Sequence, residues 1–196
     1  MLRVIAILLF KLGGWKLVGQ MSPTIRKCVL VAAPHTSNMD FIFAMACFYQ
    51  MKIPIKYLIK KEWADFFLFR KMFKKSGALG VNRSTNCTMV ETLAKIIQSS
   101  NDDLVLMISP EGTRKLSCNW KTGFYYTALK AKVPIVLSHL DYATKTAAIG
   151  PSFVPTGAFK SDMVLLKEYY KNIVPRYPEK FSLDIYQDED LETEVV

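Results

Sequence analysis

Histidine is scarce in this sequence. The chain has only His35 and His139, and neither has a Cys, His or Glu neighbour at metal-ligand spacing, so no protein-bound metal is expected. The four cysteines, Cys28, Cys47, Cys87 and Cys118, form no C-x-x-C pair and sit in or beside apolar segments, a pattern of buried, reduced thiols on the cytosolic side of a cell. No G-x-S-x-G elbow offers a serine nucleophile, and no cysteine lies in an activating setting. RNP-like and zinc-finger patterns are also missing, which argues against a nucleic-acid module. Internal repeats and low-complexity linkers are absent. Near the N-terminus the longest uninterrupted apolar run, Val4 to Phe10, falls far short of the roughly 20 residues that span a bilayer.

What is present fits one domain: 196 residues are enough for a single substantial core. The net charge of +9 understates how basic the body is, because all 26 Lys and Arg precede Phe181 while Asp188, Glu189, Asp190, Glu192 and Glu194 crowd the end. Such a body attracts anions: nucleic acid, anionic lipid headgroups, or a phosphorylated substrate and its carrier. The composition divides the chain into an N-terminal amphipathic segment (1–22), a main domain (23–187) and an acidic tail expected to be disordered (188–196). In the first segment Lys11 and Lys16 interrupt the apolar residues. Two readings fit it: an interfacial helix with Trp15 at headgroup level and its lysines reaching lipid phosphates, or a helix packed on the core.

Along the chain, apolar runs alternate with helical patterns. Strands are expected at Cys28–Ala33, Ile53–Ile59, Gly77–Arg83, Leu104–Ser109 and Val133–Ser138. Helical spacing covers Phe41–Met51, Asn86–Ser100, Lys121–Lys132 and Ser161–Ile173, and the stretch Gly150–Gly157 reads as turn. Between Glu62 and Lys75 the aromatics are too many for one narrow core stripe, and two readings fit: some face an acyl chain or a membrane interface, or the stretch is a bulky helix covering the sheet. The fold class is α/β: a single-domain mixed, mostly parallel sheet flanked by helices, with its site on the loops at the strands' carboxyl ends.

The stretch Ala33 to Phe41, A-P-H-T-S-N-M-D-F, joins a strand to a helix. Thr36, Ser37 and Asn38 are each N-cap candidates, which leaves His35 just outside the helix and Asp40 in its first turn. From there the carboxylate can fold back onto the imidazole and leave the other ring nitrogen free toward a cleft, as a general base with its orienting acid. His139 has no acid at such spacing and reads as structural.

P-H-T-S-N-M-D at 34–40, G-A-L-G-V-N-R at 77–83, P-E-G-T-R at 110–114 and V-P-I-V at 133–136, in that order, resemble the four motif blocks of the 1-acylglycerol-3-phosphate O-acyltransferase family, the lysophosphatidate acyltransferases and their glycerolipid relatives. The resemblance covers about Cys28 to Ser138 and departs from the family where Pro34, Gly80 and Leu137 stand. It implies transfer of a fatty acyl group from a thioester of coenzyme A or acyl carrier protein to a lysophospholipid hydroxyl, with no bound cofactor. His35 would be the general base and Asp40 its partner, while Arg83, Glu111, Gly112, Thr113 and Arg114 would hold the acceptor's headgroup. Lys60 and Lys121 are secondary anion contacts. The implied setting is the cytoplasmic face of a membrane rich in anionic lipid, with the protein peripheral or monotopic. Two alternatives stand beside this: an acyltransferase acting on another acceptor, such as a lyso-aminolipid, and a non-enzymatic basic module that binds membrane or RNA.

Overall fold

A computed structural model describes residues 2–67, 70–81 and 86–185. The expected Arg83 and the acidic tail lie outside the described residues. The elements in chain order are α1 (Leu2–Leu12), β1 (Lys16–Val18), β2 (Lys27–Ala32), α2 (Asn38–Met51), β3 (Ile55–Lys60), α3 (Lys61–Asp65), α4 (Arg70–Ser76), β4 (Ala78–Val81), α5 (Asn86–Ser99), β5 (Leu104–Ile108), α6 (Gly123–Ala131), β6 (Ile135–Asp141), β7 (Thr146–Phe153) and α7 (Phe159–Tyr170). The strands form one sheet in the order β1-β7-β6-β2-β5-β3-β4. Every neighbouring pair is parallel except β6 with β7. The mixed, mostly parallel α/β architecture expected from the sequence is therefore present.

β2 lies at the centre and shows why its sequence is apolar throughout. Val29 and Val31 point into the core under α5, α6 and α7, while Cys28 and Leu30 point to the opposite face, under α2. A strand covered on both faces has no polar side to present. Helix α2 is likewise apolar all round because it is covered on two sides: Met45 and Phe48 pack on the sheet, and Phe43, Ala46 and Cys47 pack against Phe10 of α1 and Trp15.

The structure corrects several expectations. Trp15 is buried, with its ring 4.8 Å from both Phe43 and Tyr142, so it belongs to the core and not to a headgroup layer. Gly150 to Phe153 is the second half of β7, a strand the turn-rich composition concealed. His139 lies within β6, which runs on to Asp141 past the expected strand end at Ser138. Cys118 is exposed, unlike the buried Cys28 and Cys47. The 62–75 stretch contains parts of two short helices, α3 and α4. Gly80, one of the departures from the family pattern, has a local cause: a Cβ there would stand 2.6 Å from the Ala64 Cβ of α3, leaving no space for a larger residue.

Parallel strands put the carboxyl ends of β2, β3, β4, β5 and β6 on one rim. The loop after β2, the loop after β5 and the end of β6 meet there because β2 lies between β6 and β5.

Candidate active site

The site starts from a helix cap. Ser37 is the N-cap of α2, in an extended conformation, and its hydroxyl accepts the Met39 N–H at 3.1 Å. Asp40, at the third helical position, closes the capping box. Its Oδ2 accepts the main-chain N–H groups of Thr36 and Ser37, both at 2.8 Å. Its Oδ1 accepts the Tyr142 hydroxyl at 2.6 Å. Three donors thus fix a buried carboxylate before the imidazole is considered, and His35 Nδ1 stands 3.4 Å from Oδ2. This contact is long for a hydrogen bond. With Nδ1 turned to the carboxylate, Nε2 lies on the other side of a ring whose side chain keeps a quarter of its exposure.

Glu111 approaches the same histidine from β5. Its Oε2 accepts the His35 main-chain N–H at 2.7 Å and the Ser109 hydroxyl at 3.4 Å, and its Oε1 is buried without a hydrogen-bond partner. Burial pushes the carboxyl up to about 7 against the opposing pull of the His35 amide, the His35 charge and Ser109. Glu111 therefore faces inward and joins two loops, whereas Gly112, Thr113 and Arg114 beside it are exposed. Gly112 turns the chain at φ +65°, a conformation that favours glycine. Lys121 lies over that turn, its Cε 3.1 Å from where a Gly112 Cβ would be. Lys60 ends β3 on the same rim, exposed, and Arg83 lies outside the described residues.

His35 and Asp40 also line a cavity of about 90 Å³ beneath α2. Its inner walls are apolar and include Leu17, Ala44, Cys47, Phe48, Leu140 and Ile149. Burial pushes the Cys47 thiol up to about 12, which keeps it neutral and a poor nucleophile. A mainly apolar cavity with an imidazole in its wall suits a hydrocarbon chain whose reactive end lies at that imidazole. It is walled by α2 and the sheet, and among the described residues none of the 62–75 aromatics lines it.

His139 also lines this cavity but does not join the His35–Asp40 pair. Its Nδ1 is 2.7 Å from the Tyr169 hydroxyl, and burial holds its basicity below the usual range. Among the described residues no group of three His, Cys, Asp or Glu could hold a metal ion.

Sequence reasoning missed Tyr142 and the segment after α7. The signal for Tyr142 was positional: it follows the last residue of β6, the strand beside β2, but the strand expected there stopped at Ser138. The later segment gave no local signal. It reaches the site through the Tyr177 N–H, which bonds Thr36 Oγ1 at 3.3 Å.

Comparison with known proteins bears on this geometry. A family model described as Acyltransferase matches residues 17–137. A probable 1-acyl-sn-glycerol-3-phosphate acyltransferase of Mycoplasma pneumoniae is 30% identical over 139 residues, which are 68% of this chain and 52% of that protein. The chain thus spans about half the length of that curated relative. The crystal structure of the 1-acyl-sn-glycerophosphate (LPA) acyltransferase PlsC from Thermotoga maritima superposes with a TM-score of 0.54 at 16% identity, covering 87% of this chain and 74% of that one, a likeness of fold.

Proposed function

Because the chain belongs to the acyltransferase family, we propose that it moves a fatty acyl group from a thioester, on coenzyme A or acyl carrier protein, to the free hydroxyl of a lysophospholipid. The acceptor in this reading is 1-acylglycerol-3-phosphate, and the product is phosphatidate. The observation that carries the proposal is the His35 Nδ1–Asp40 Oδ2 contact at 3.4 Å, in the wall of a mainly apolar cavity.

The steps follow from the chemistry of the residues. The acyl chain lies in the cavity with its thioester carbonyl near His35. The acceptor hydroxyl gives its proton to His35 Nε2 as its oxygen attacks the carbonyl carbon. The tetrahedral intermediate then collapses, the carbon–sulfur bond breaks, and the departing sulfur takes the proton back from the imidazolium. An ester and a free thiol result, and His35 is again neutral. No acyl-enzyme forms. A base placed in this way contributes about 10²–10⁴-fold, or about 3–5 kcal/mol of barrier. Asp40 keeps the ring in the useful orientation. Arg83, Arg114, Lys121 and Lys60 supply positive charge for the headgroup, and Glu111 holds the His35 backbone in place.

The working setting is the cytoplasmic surface of a membrane, with the protein peripheral or monotopic. No described helix is long and apolar enough to cross a membrane. Support comes from the outer face of α1, where Val4, Ile5, Leu8, Leu9 and Leu12 are exposed, and from Phe66, Phe67 and Met72, exposed beside Arg70, Lys71, Lys74 and Lys75. Apolar side chains ringed by cations match an anionic lipid surface.

The test is product formation. Purified protein supplied with a thioester donor and 1-acylglycerol-3-phosphate should yield phosphatidate by mass spectrometry. A protein that forms no acylated product from this acceptor or any other lysolipid would overturn the reading.

A further inference from the structure

After α7 the chain doubles back as a strap, residues 174–185, across the rim that holds His35. It is tied down at four points. Tyr142 N–H bonds Val174 O at 2.8 Å and Tyr177 N–H bonds Thr36 Oγ1 at 3.3 Å, at the end nearer the histidine. Trp120 Nε1–H bonds Ser182 O at 3.2 Å, and Trp120 N–H bonds Ile185 O at 3.0 Å, at the end nearer Lys121. The strap therefore runs from the loop after β2 to the segment after the Glu111–Arg114 turn.

Arg176 lies between the first two ties, so its backbone is held although its side chain is exposed. The guanidinium lies 5.6 Å from the centre of the Tyr177 ring and beside the Tyr142 hydroxyl, whose pKa burial and Asp40 push up against the opposing pull of Arg176. That hydroxyl spends its proton on Asp40, the carboxylate facing His35. A short chain of contacts thus leads from the imidazole to a cation. No carboxylate among the described residues forms an ion pair with Arg176, so most of its five N–H donors remain available.

The position matches what a phosphorylated lysolipid needs. In 1-acylglycerol-3-phosphate the reacting hydroxyl and the phosphate sit on adjacent carbons, so a hydroxyl placed at His35 brings the phosphate close beside it. Arg114 and Lys121 stand on the β5 side of the histidine, and Arg176, carried over the end of β6, stands on the other. β2 lies between those two strands, so the cations flank the base. A guanidinium donates two parallel hydrogen bonds to a phosphate, a geometry that a lone ammonium lacks.

We propose that Arg176 is a substrate-binding residue that grips the acceptor's phosphate beside His35, so that the strap after α7 selects for an anionic headgroup. This rests on the acyltransferase reading above. The test compares Arg176→Ala and Arg176→Lys in the full chain, with 1-acylglycerol-3-phosphate and with 1-acylglycerol, which has no phosphate. For the phosphorylated acceptor, Arg176→Ala should raise KM by about tenfold or more with kcat nearly unchanged, and Arg176→Lys should recover part of the loss. The KM for the thioester and turnover of the neutral acceptor should stay the same.

Equal losses on both acceptors, or no change on either, would overturn the proposal. So would a fall in kcat that Tyr142→Phe reproduces and does not add to, since Arg176 would then act through Asp40. A direct measurement separates this inference from the reaction itself. In the His35→Ala background, calorimetric titration with a short-chain 1-acylglycerol-3-phosphate should show binding that Arg176→Ala weakens by about tenfold. Such binding without acyl transfer by the unmodified chain would sink the reaction and keep the phosphate site, whereas transfer indifferent to Arg176 would sink only the site.

Discussion

Glu111 Oε2 accepts the main-chain N–H of His35 at 2.7 Å, so the acid of the third motif holds the backbone of the first and leaves the imidazole to Asp40. Its second oxygen is buried without a partner, and its carboxyl is raised from an ordinary value near 4.5 to about 7. A raised acid holds its proton longer in the folded than in the unfolded chain. Its contribution is complete below about pH 4.5 and is lost as pH rises through about 7. Glu111→Gln keeps an acceptor for His35 and removes the charge. Urea denaturation at pH 5 and pH 8 should show the variant gaining on the parent chain at the higher pH, by up to about 3 kcal/mol. A difference independent of pH would contradict this.

Tyr142 donates to the Asp40 oxygen that does not face His35. Tyr142→Phe removes that donor and leaves the two amides, so Asp40 stays in place but loses one restraint. We expect kcat to fall about tenfold, equivalent to about 1.4 kcal/mol, with the KM for both substrates unchanged. Steady-state kinetics with a thioester donor checks this, and an unchanged kcat would show that the amides alone suffice.

The two faces of α1 should separate folding from membrane attachment. On the inner side Phe10 and Trp15 pack with Phe43, and Trp15 also supports Tyr142. Trp15→Ala should therefore cost about 3–5 kcal/mol of stability. On the outer side Leu8 and Leu12 are 51% and 84% exposed. Glu at both positions should change stability by about 0.5 kcal/mol or less at each site. The same pair of substitutions should strongly reduce sedimentation with anionic vesicles. Undiminished sedimentation would place the membrane contact elsewhere.

The cavity under α2 should set acyl length. Ala44 lines it midway along the helix, and Ala44→Phe should shift the preferred donor to shorter chains, read as kcat/KM across a series of acyl thioesters. An unaltered profile would move the acyl chain out of this cavity.

The parts of this molecule that were legible from sequence are those with local causes. Ser37 and Asp40 cap the helix that begins beside them, and β2 and β5 announce themselves as apolar runs covered on both faces. β7 was hidden by Gly150 and Pro151. It pairs with β6 over most of its length, but β1 reaches only Thr146 to Ala148, which leaves the other edge of Pro151 without a strand to serve. Trp15 fitted an interface and a core equally because a short amphipathic segment carries no mark of what covers it. Tyr142 reaches Asp40 from more than a hundred residues away, and Arg176 reaches Tyr142 in turn, through strand order and the return of the chain after α7, neither of which a local pattern encodes.

The most direct measurement is thiol release from an acyl thioester in the presence of 1-acylglycerol-3-phosphate, by the parent chain and by His35→Ala folded to the same stability. The account predicts acceptor-dependent release by the parent chain and a loss of about 10²–10⁴-fold in the variant. Equal rates in the two proteins would contradict it.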